Sequence, residues 1–324
     1  MEPKLAPEWL EFEQQIGSRL HLGSDMEKYS NGGKSLGEFC KPSFVPSEAD
    51  GLHTKDVIIE NDLKARIYLP VARSSGLKHP VGVFGHSGGF CEGDLDSEDT
   101  LCRIIAHRYP CIVVSIDYRK APAWKVPTAF EDFLRGFLWA HDSADELGGD
   151  QSKVFCFGCS AGGTLSLGTA HKLIELGKGD LLRGVINCAG GAVHPEFVPD
   201  RFRAKYNAMT ECGSDSVPII NAATARMINE ISGLNLHQAN PWVNPLLSPY
   251  LGQFPPTYLV ACGVDPLRDD AILVADELQR LGVRAKIDVY DGLPHIFWMI
   301  ASLPSAERFV TNLLQGIRFV LERD

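Results

Sequence analysis

One serine stands among small residues in Gly158-Cys159-Ser160-Ala161-Gly162-Gly163. It directly follows the apolar run Val154-Phe155-Cys156-Phe157 and precedes a helix-prone segment. Strand, tight turn and helix around a G-x-S-x-G pattern form a nucleophile elbow, where the hydroxyl sits exposed on strained backbone and glycines keep side chains away. A serine hydroxyl is a poor nucleophile at neutral pH; it needs a base, a group to orient the base, and donors for the oxyanion. The acid candidate is Asp265, in Cys262-Gly263-Val264-Asp265-Pro266-Leu267. It follows a strand-like run, and Pro266 ends strand pairing and can open the next helix. Asp265 also reads as the N-cap of that helix. The base candidate is His295, in Gly292-Leu293-Pro294-His295-Ile296-Phe297, after the last strand-like run. Asp291 is a rival acid close to His295 in sequence, and with Gly292 it also reads as a turn. A fourth segment, His86-Ser87-Gly88-Gly89-Phe90, follows an apolar strand, and its glycines let backbone N–H groups approach a developing oxyanion.

These residues need a scaffold that brings four distant segments to one place. Short apolar runs at 81–84, 111–116, 153–157, 184–188, 257–261 and 284–290 alternate with helical stretches near 97–108, 127–145, 161–176, 267–281 and 304–322. That alternation predicts a mostly parallel sheet covered on both faces. The runs 57–59 and 65–69 predict a leading hairpin, and residues 7–20 an amphipathic helix with Pro7 at its start. A Gly/Ser/Pro-rich stretch, about 30–50, reads as a linker. More than sixty residues separate the runs near 188 and 257, with a helix-like portion at 219–231. A structureless loop of that length is uncommon in a compact domain, so an inserted cap is expected there, roofing the strand ends together with the N-terminal helix.

Taken together, the four segments resemble the hormone-sensitive-lipase-like branch of the α/β-hydrolases, whose members include carboxylesterases. The pattern H-G-G-G-[FW] is matched by residues 86–90, G-D-S-A-G-G by 158–163, D-P-L-x-D by 265–269 and H-x-F by 295–297. Supporting segments are Tyr118-Arg119-Lys120-Ala121-Pro122 and Asn244-Pro245-Leu246-Leu247-Ser248-Pro249, and the likeness runs from about residue 55 to the C-terminus. It implies an α/β fold with a mostly parallel eight-stranded sheet, flanking helices and a helical cap. The division expected is 1–50 as the N-terminal part of the cap, 51–189 and 190–245 as first core part and cap insertion, and 246–324 as second core part. It further implies Ser160 as nucleophile, His295 as base, Asp265 as orienting acid, and Gly88, Gly89 and Ala161 as oxyanion donors. Two positions depart from the pattern: Ser87 stands for the first glycine of the loop and Cys159 for the acid before the nucleophile, where it is expected to pack.

Phe90, Trp124, Phe297 and Trp298 are candidates for an apolar substrate pocket, and each could instead belong to the core. His86, Tyr118 and Arg119 are expected to brace the loop and core. Asp94, Asp96, Glu98 and Asp99 read as a solvated loop and helix start. The expected reaction is hydrolysis of a small-molecule carboxylic ester through an acyl-enzyme, with neither metal nor organic cofactor. The alternatives are an acyltransferase, lactonase or amide hydrolase with the same triad, and a non-catalytic ligand receptor on the same fold. A formal net charge of −10 argues against nucleic acid or an anionic membrane surface as a partner. No run approaches the roughly 18 apolar residues of a membrane span. Nine cysteines in apolar surroundings read as reduced packing residues, which points to the cytoplasm. A strand and helix at a sheet edge would also permit a homodimer.

Overall fold

Successive side chains of a strand face opposite ways. In His79–Gly85, Val81 and Val83 join one apolar cluster and Phe84 joins another, and all three are buried. The same division recurs in Ile112–Asp117, Gly149–Cys159, Val185–Cys188 and Thr257–Val264. Strands apolar on both sides need helices on both sides, the arrangement expected from the sequence.

The protein is described here by a computed structural model covering residues 3–39, 45–59, 62–70 and 78–322. Its strands are β1 (Leu52–Ile59), β2 (Leu63–Pro70), β3 (His79–Gly85), β4 (Ile112–Asp117), β5 (Gly149–Cys159), β6 (Val185–Cys188), β7 (Thr257–Val264) and β8 (Ala285–Pro294). They form one eight-stranded sheet in the order β1-β2-β4-β3-β5-β6-β7-β8. β1 and β2 are a hairpin and β2 runs antiparallel to β4; the pairs from β4 through β8 are parallel. The helices are α1 (Pro7–Ile16), α2 (Met26–Glu38), α3 (Asp99–Arg108), α4 (Thr128–Asp142), α5 (Ala161–Glu175), the single turns α6 (Asp200–Arg203) and α7 (Ala208–Glu211), α8 (Ala222–Ser232), α9 (Arg268–Arg280) and α10 (Pro304–Leu321). Phe130, Phe133 and Phe137 of α4, Leu165 and Leu173 of α5, and Leu273 and Leu278 of α9 cover one face. Trp9 of α1, Leu101 and Ile105 of α3, and Phe309, Leu313 and Ile317 of α10 cover the other.

One sequence expectation fails. The stretch about 30–50, read as a linker, begins inside α2; residues 40–44 lie outside the described residues. The Asp25 carboxylate caps this helix by accepting from Lys28 N–H at 2.9 Å, and Tyr29 and Leu36, seven residues apart, face inward. One of its three glycines has a packing reason: a Cβ on Gly32 would lie 2.7 Å from Leu22 Cα and from His21 O. Tertiary contact overrides weak helix propensity here.

The N-terminal segment and the insertion between β6 and β7 are stitched together. Leu22 N–H donates to Ile219 O and Ile219 N–H to Leu20 O, both at 2.8 Å, and Thr224 Oγ1 donates to Gly23 O at 2.8 Å. Residues of both segments, among them Leu22, Tyr29, Met209 and Ile220, line one cavity with Ser160 at the carboxyl end of β5, where open parallel sheets place their ligands. Among the described residues, no helix is long and apolar enough to cross a membrane.

Candidate active site

β5 ends at Cys159 and α5 starts at Ala161, so Ser160 alone makes the turn, with φ 51° and ψ −117°. Only glycine neighbours allow it. A Cβ on Gly162 would lie 1.8 Å from Gly85 O, and one on Gly158 would lie 2.3 Å from Gly162 C. The reward for this strain is exposure of the hydroxyl at the N-terminus of α5, where the helix dipole favours negative charge.

Two loops from the other side of the sheet meet the serine. Asp265 follows β7 and is fully buried; His295 follows β8 and is 3% exposed. The Asp265 carboxylate can only accept, so His295 Nδ1–H donates to its Oδ2 at 2.6 Å, leaving Nε2 bare to accept from the Ser160 hydroxyl at 2.9 Å. Asp265 Oδ1 accepts Leu267 N–H at 2.8 Å, closing a turn two residues long; α9 itself is capped at Leu267, so the N-cap reading of Asp265 is not what the structure shows. Asp291, the rival acid, is exposed, and the bond from the His295 ring goes to Asp265.

The glycine loop beside Ser160 is built as tightly. The N–H groups of Gly88, Gly89 and Ala161 have no partner among the described residues, and all three residues line the same cavity as Ser160. His86 is fully buried, which pushes its imidazole down to about 4 and keeps it neutral at pH 7. Its Nδ1–H donates to Ser87 O at 2.6 Å, and its ring stacks on Tyr118 at 4.1 Å between centroids. Tyr118 in turn donates to His86 O at 2.9 Å, and Arg119 forks onto buried Asp132 with two bonds of 2.8 Å. These bracing roles match the sequence reading.

The acidic cluster divides. Asp96 and Asp99 hold Arg66 at 2.6 and 3.1 Å, and Asp94 caps its own loop, as a solvated loop and helix start should. Glu98 departs from that expectation. It is 3% exposed and turns toward the glycine loop, accepting Ser87 N–H at 3.0 and 3.3 Å through its two oxygens. Burial pushes its carboxyl up to about 7, against the opposing pull of the Ser87 bond. No stretch of sequence around it signals this, because the contact spans eleven residues and depends on where α3 begins. Among the described residues, no group of His, Cys, Asp and Glu side chains is placed to hold a metal. Cys156 and Cys159 have C-x-x-C spacing, but on a strand an odd separation turns them to opposite faces, one in each apolar cluster. Cys159 packs, as expected.

Above Ser160 lies a cavity of about 710 Å³. Phe90 and Trp298 line it, whereas two other pocket candidates do not. Phe297 is fully buried against Tyr290 and Phe309, because its side chain points back into the core from the turn that carries His295. Trp124 is 51% exposed and stacks under the Arg119 guanidinium at 4.8 Å. The cavity wall is pinned to the first turn of α9. Asp270 accepts Ala192 and Val193 N–H at 2.7 and 3.0 Å and the Tyr206 hydroxyl at 3.3 Å; Asp269 accepts Asn207 and Ala208 N–H at 2.6 and 2.7 Å. The carboxylates of Asp269 and Asp270, a few residues beyond Asp265, thus fasten the insertion to the core, a role the sequence reading missed.

Residues 82–299 match the profile of a family described as the alpha/beta hydrolase fold. The chain belongs to this family. It is 35% identical over 326 residues to a versiconal hemiacetal acetate esterase of Dothistroma septosporum, covering 100% of this chain and 97% of that protein. Among solved structures it is similar to vibralactone cyclase (27% identity, TM-score 0.87, covering 98% of this chain and 95% of that one). It is also similar to a hyperthermophilic esterase of the archaeon Pyrobaculum calidifontis (25% identity, TM-score 0.81, covering 97% and 98%). With these α/β-hydrolase relatives, the chain is a serine ester hydrolase acting on carboxylic esters.

Proposed function

We propose that this α/β-hydrolase cleaves the acetate ester of a bulky small-molecule alcohol, with Ser160 as nucleophile, His295 as base and Asp265 as its orienting acid. The observation that carries the reading is the unbroken relay from Ser160 through His295 to Asp265, with bonds of 2.9 and 2.6 Å at the floor of the cavity. As Ser160 attacks the carbonyl carbon, His295 Nε2 takes the hydroxyl proton, and the buried Asp265 carboxylate stabilises the resulting imidazolium. The carbonyl oxygen becomes an anion beside the unpaired N–H groups of Gly88, Gly89 and Ala161, where each donor is worth on the order of 3 kcal/mol. His295 returns the proton to the departing alcohol. Water then repeats the sequence on the acyl-enzyme and frees the acid. An acetate is favoured by the relative named for a hemiacetal acetate, and a bulky alcohol by the space above Ser160.

Residues 1–50 and 190–245 act as one cap on this reading, supported by the backbone bonds between Leu22 and Ile219. The eight described cysteines are buried free thiols, which suits a cytoplasmic protein. β8 is a free sheet edge on which a second copy would pair.

A fluorophosphonate probe tests the reading directly: it should label the parent chain at Ser160 and leave Ser160→Ala untouched. Labelling elsewhere, or a parent that never reacts, would favour a silent receptor. The likeness to a cyclase supports a second reading, in which a hydroxyl within the substrate replaces water as acceptor. Turnover of an acetate in H₂18O with full incorporation of one 18O into the released acid supports hydrolysis; transfer to added alcohols in preference to water supports the second reading.

A further inference from the structure

The loop that carries His295 leaves the sheet through a break in register. β7 and β8 pair from Thr257 and Ala285 up to Cys262 and Tyr290, and next at Val264 and Pro294. Between those pairs β7 has one residue, Gly263, and β8 has three. Asp291, Gly292 and Leu293 therefore bulge out of the ladder just ahead of His295. Bulges re-aim side chains beside active sites, and the side chain beyond this one is the imidazole bonded to Ser160. β8 is also the outermost strand, so no further strand backs the bulge.

The N-terminal segment supplies the backing. Ala6 N–H donates to Gly292 O at 2.8 Å, and a Cβ on Gly292 would lie 2.6 Å from Ala6 N and 3.1 Å from Lys4 O. Gly292 has φ 72°, so backbone conformation and close approach both reserve the position for glycine. Leu5 packs on the small cluster of Cys212, Val217 and Val264, the last of which adjoins Asp265. Two residues beyond Ala6, Glu8 reaches the far end of the same loop. Its carboxylate accepts the Ser305 N–H at 3.0 Å and the Ser305 hydroxyl. Ser305 lies in the first turn of α10, whose N-cap residue Leu303 makes no side-chain cap, so Glu8 satisfies that helix start from another part of the chain. Trp9 is fully buried in the same apolar cluster as Leu293, Ile296 and Phe297. The loop 291–305 is thus held at both ends by residues 6 and 8, with His295 between.

The cavity separates this segment from the rest of the N-terminal fifty residues. Leu22, Tyr29 and Leu36 line it, whereas none of residues 4–16 does. A segment that does not face the cavity acts on turnover only through the groups it holds.

We propose that residues 4–9 brace the base, with Ala6 and Glu8 as positioning residues that hold the two ends of the His295 loop and so set kcat rather than substrate fit. The proposal rests on His295 serving as base in the esterase reading. His295 moves the proton in both acylation and deacylation, so a displaced ring lowers kcat by one common factor on every ester. A misplacement of about 1 Å costs up to about a hundredfold.

The test is Ala6→Pro in the full chain. Ala6 has φ −66° and ψ 146°, a conformation that proline adopts, so the substitution removes the N–H without straining that residue. Well below its melting temperature the variant should lose about tenfold in kcat on phenyl acetate and on 2-naphthyl acetate alike, with KM for both close to the parent's. Fluorophosphonate labelling of Ser160 should slow by the same factor. Glu8→Ala should behave alike, and Glu8→Gln, which keeps one acceptor oxygen, should recover part of the loss. Glu8 is only half-buried, so these two variants keep the question open to measurement if Ala6→Pro fails to fold. A purely structural role would lower the melting temperature and leave kcat of the folded enzyme unchanged, which overturns the proposal. A loss carried by KM and confined to the bulkier ester also overturns it, since the segment then acts as cap alone. If the parent hydrolyses phenyl acetate and Ser160→Ala does not, the esterase reading stands whatever the N-terminal variants do. If neither does, that reading falls first and the proposal with it.

Discussion

The floor and the roof of this cavity are built on different principles. At the floor, backbone meets backbone. Gly162 passes so close to Gly85 that no side chain fits, Ser160 is held at a φ of 51°, and the two hydrogen bonds that link Ser160 to His295 and His295 to Asp265 measure 2.9 and 2.6 Å. At the roof, two segments about two hundred residues apart share a few hydrogen bonds, such as Thr224 to Gly23, and side chains make the wall. The floor has one geometry available to it, which is what preorganised transition-state stabilisation needs. The roof can change its lining without disturbing that geometry, so substrate choice can vary while the chemistry stays fixed.

Four substitutions would break or sharpen that contrast. Ser160→Ala should lower kcat by about a million-fold with the melting temperature unchanged, since the members of such a triad act as a unit. Asp265→Asn should lower kcat by about ten-thousand-fold, because the His295 ring loses the acceptor that fixes its tautomer. A loss below tenfold would mean that the floor is less preorganised than its distances suggest.

Glu98→Gln stands between the two regions, since the Ser87 peptide it holds leads into Gly88 and Gly89, the donors proposed for the oxyanion. Its kcat should fall by about ten- to a hundredfold on every ester, less than the loss of a donor itself. It also carries a pH signature. The unfolded carboxyl ionises near its ordinary value of 4.5, while burial raises it to about 7 in the folded protein. Unfolding between those values therefore releases a proton, and this group's contribution to stability falls as pH rises from about 4.5 to 7. Asp270, raised by burial from 3.8 to about 7, acts in the same direction. His86, lowered from 6.5 to about 4, acts in the opposite one, because its stabilising share is lost as pH falls through that window. The difference in melting temperature between parent and Glu98→Gln isolates Glu98: it should shift in favour of the variant between pH 5 and 7.5, and a constant difference would refute the assignment. The smallest effect belongs to the roof. Thr224→Val removes the bond to Gly23 and should raise KM for a bulky ester a few-fold, about 1 kcal/mol, leaving kcat on a small ester close to the parent's.

How much the sequence disclosed follows the same division. That Ser160, Asp265 and His295 would meet was legible because each follows a strand, and strands that share a sheet bring their ends together whatever lies between them. The sheet was legible for a related reason, since buried parallel strands are short apolar runs separated by helices. The alternative acid Asp291 stayed open until the ring of His295 was seen to turn to Asp265. The helix at Met26–Glu38 was hidden, because a Ser/Gly-rich run has no helical signature of its own and this one is held by Asp25 and by close packing on Leu22.

Side-chain direction was the part that local pattern does not encode. Phe297 and Trp298 are neighbours in sequence, yet one fills the core and the other lines the cavity. Glu98 and Asp99 are neighbours too, yet one braces the glycine loop at Ser87 and the other holds Arg66. Strand order and glycine spacing by themselves determined where the reacting groups meet, because hard-sphere contact leaves the backbone so few choices. Only the tertiary structure decided which side chains surround them, since that depends on how helices and cap settle against one another, a sum of many weak contacts that no short stretch of residues contains.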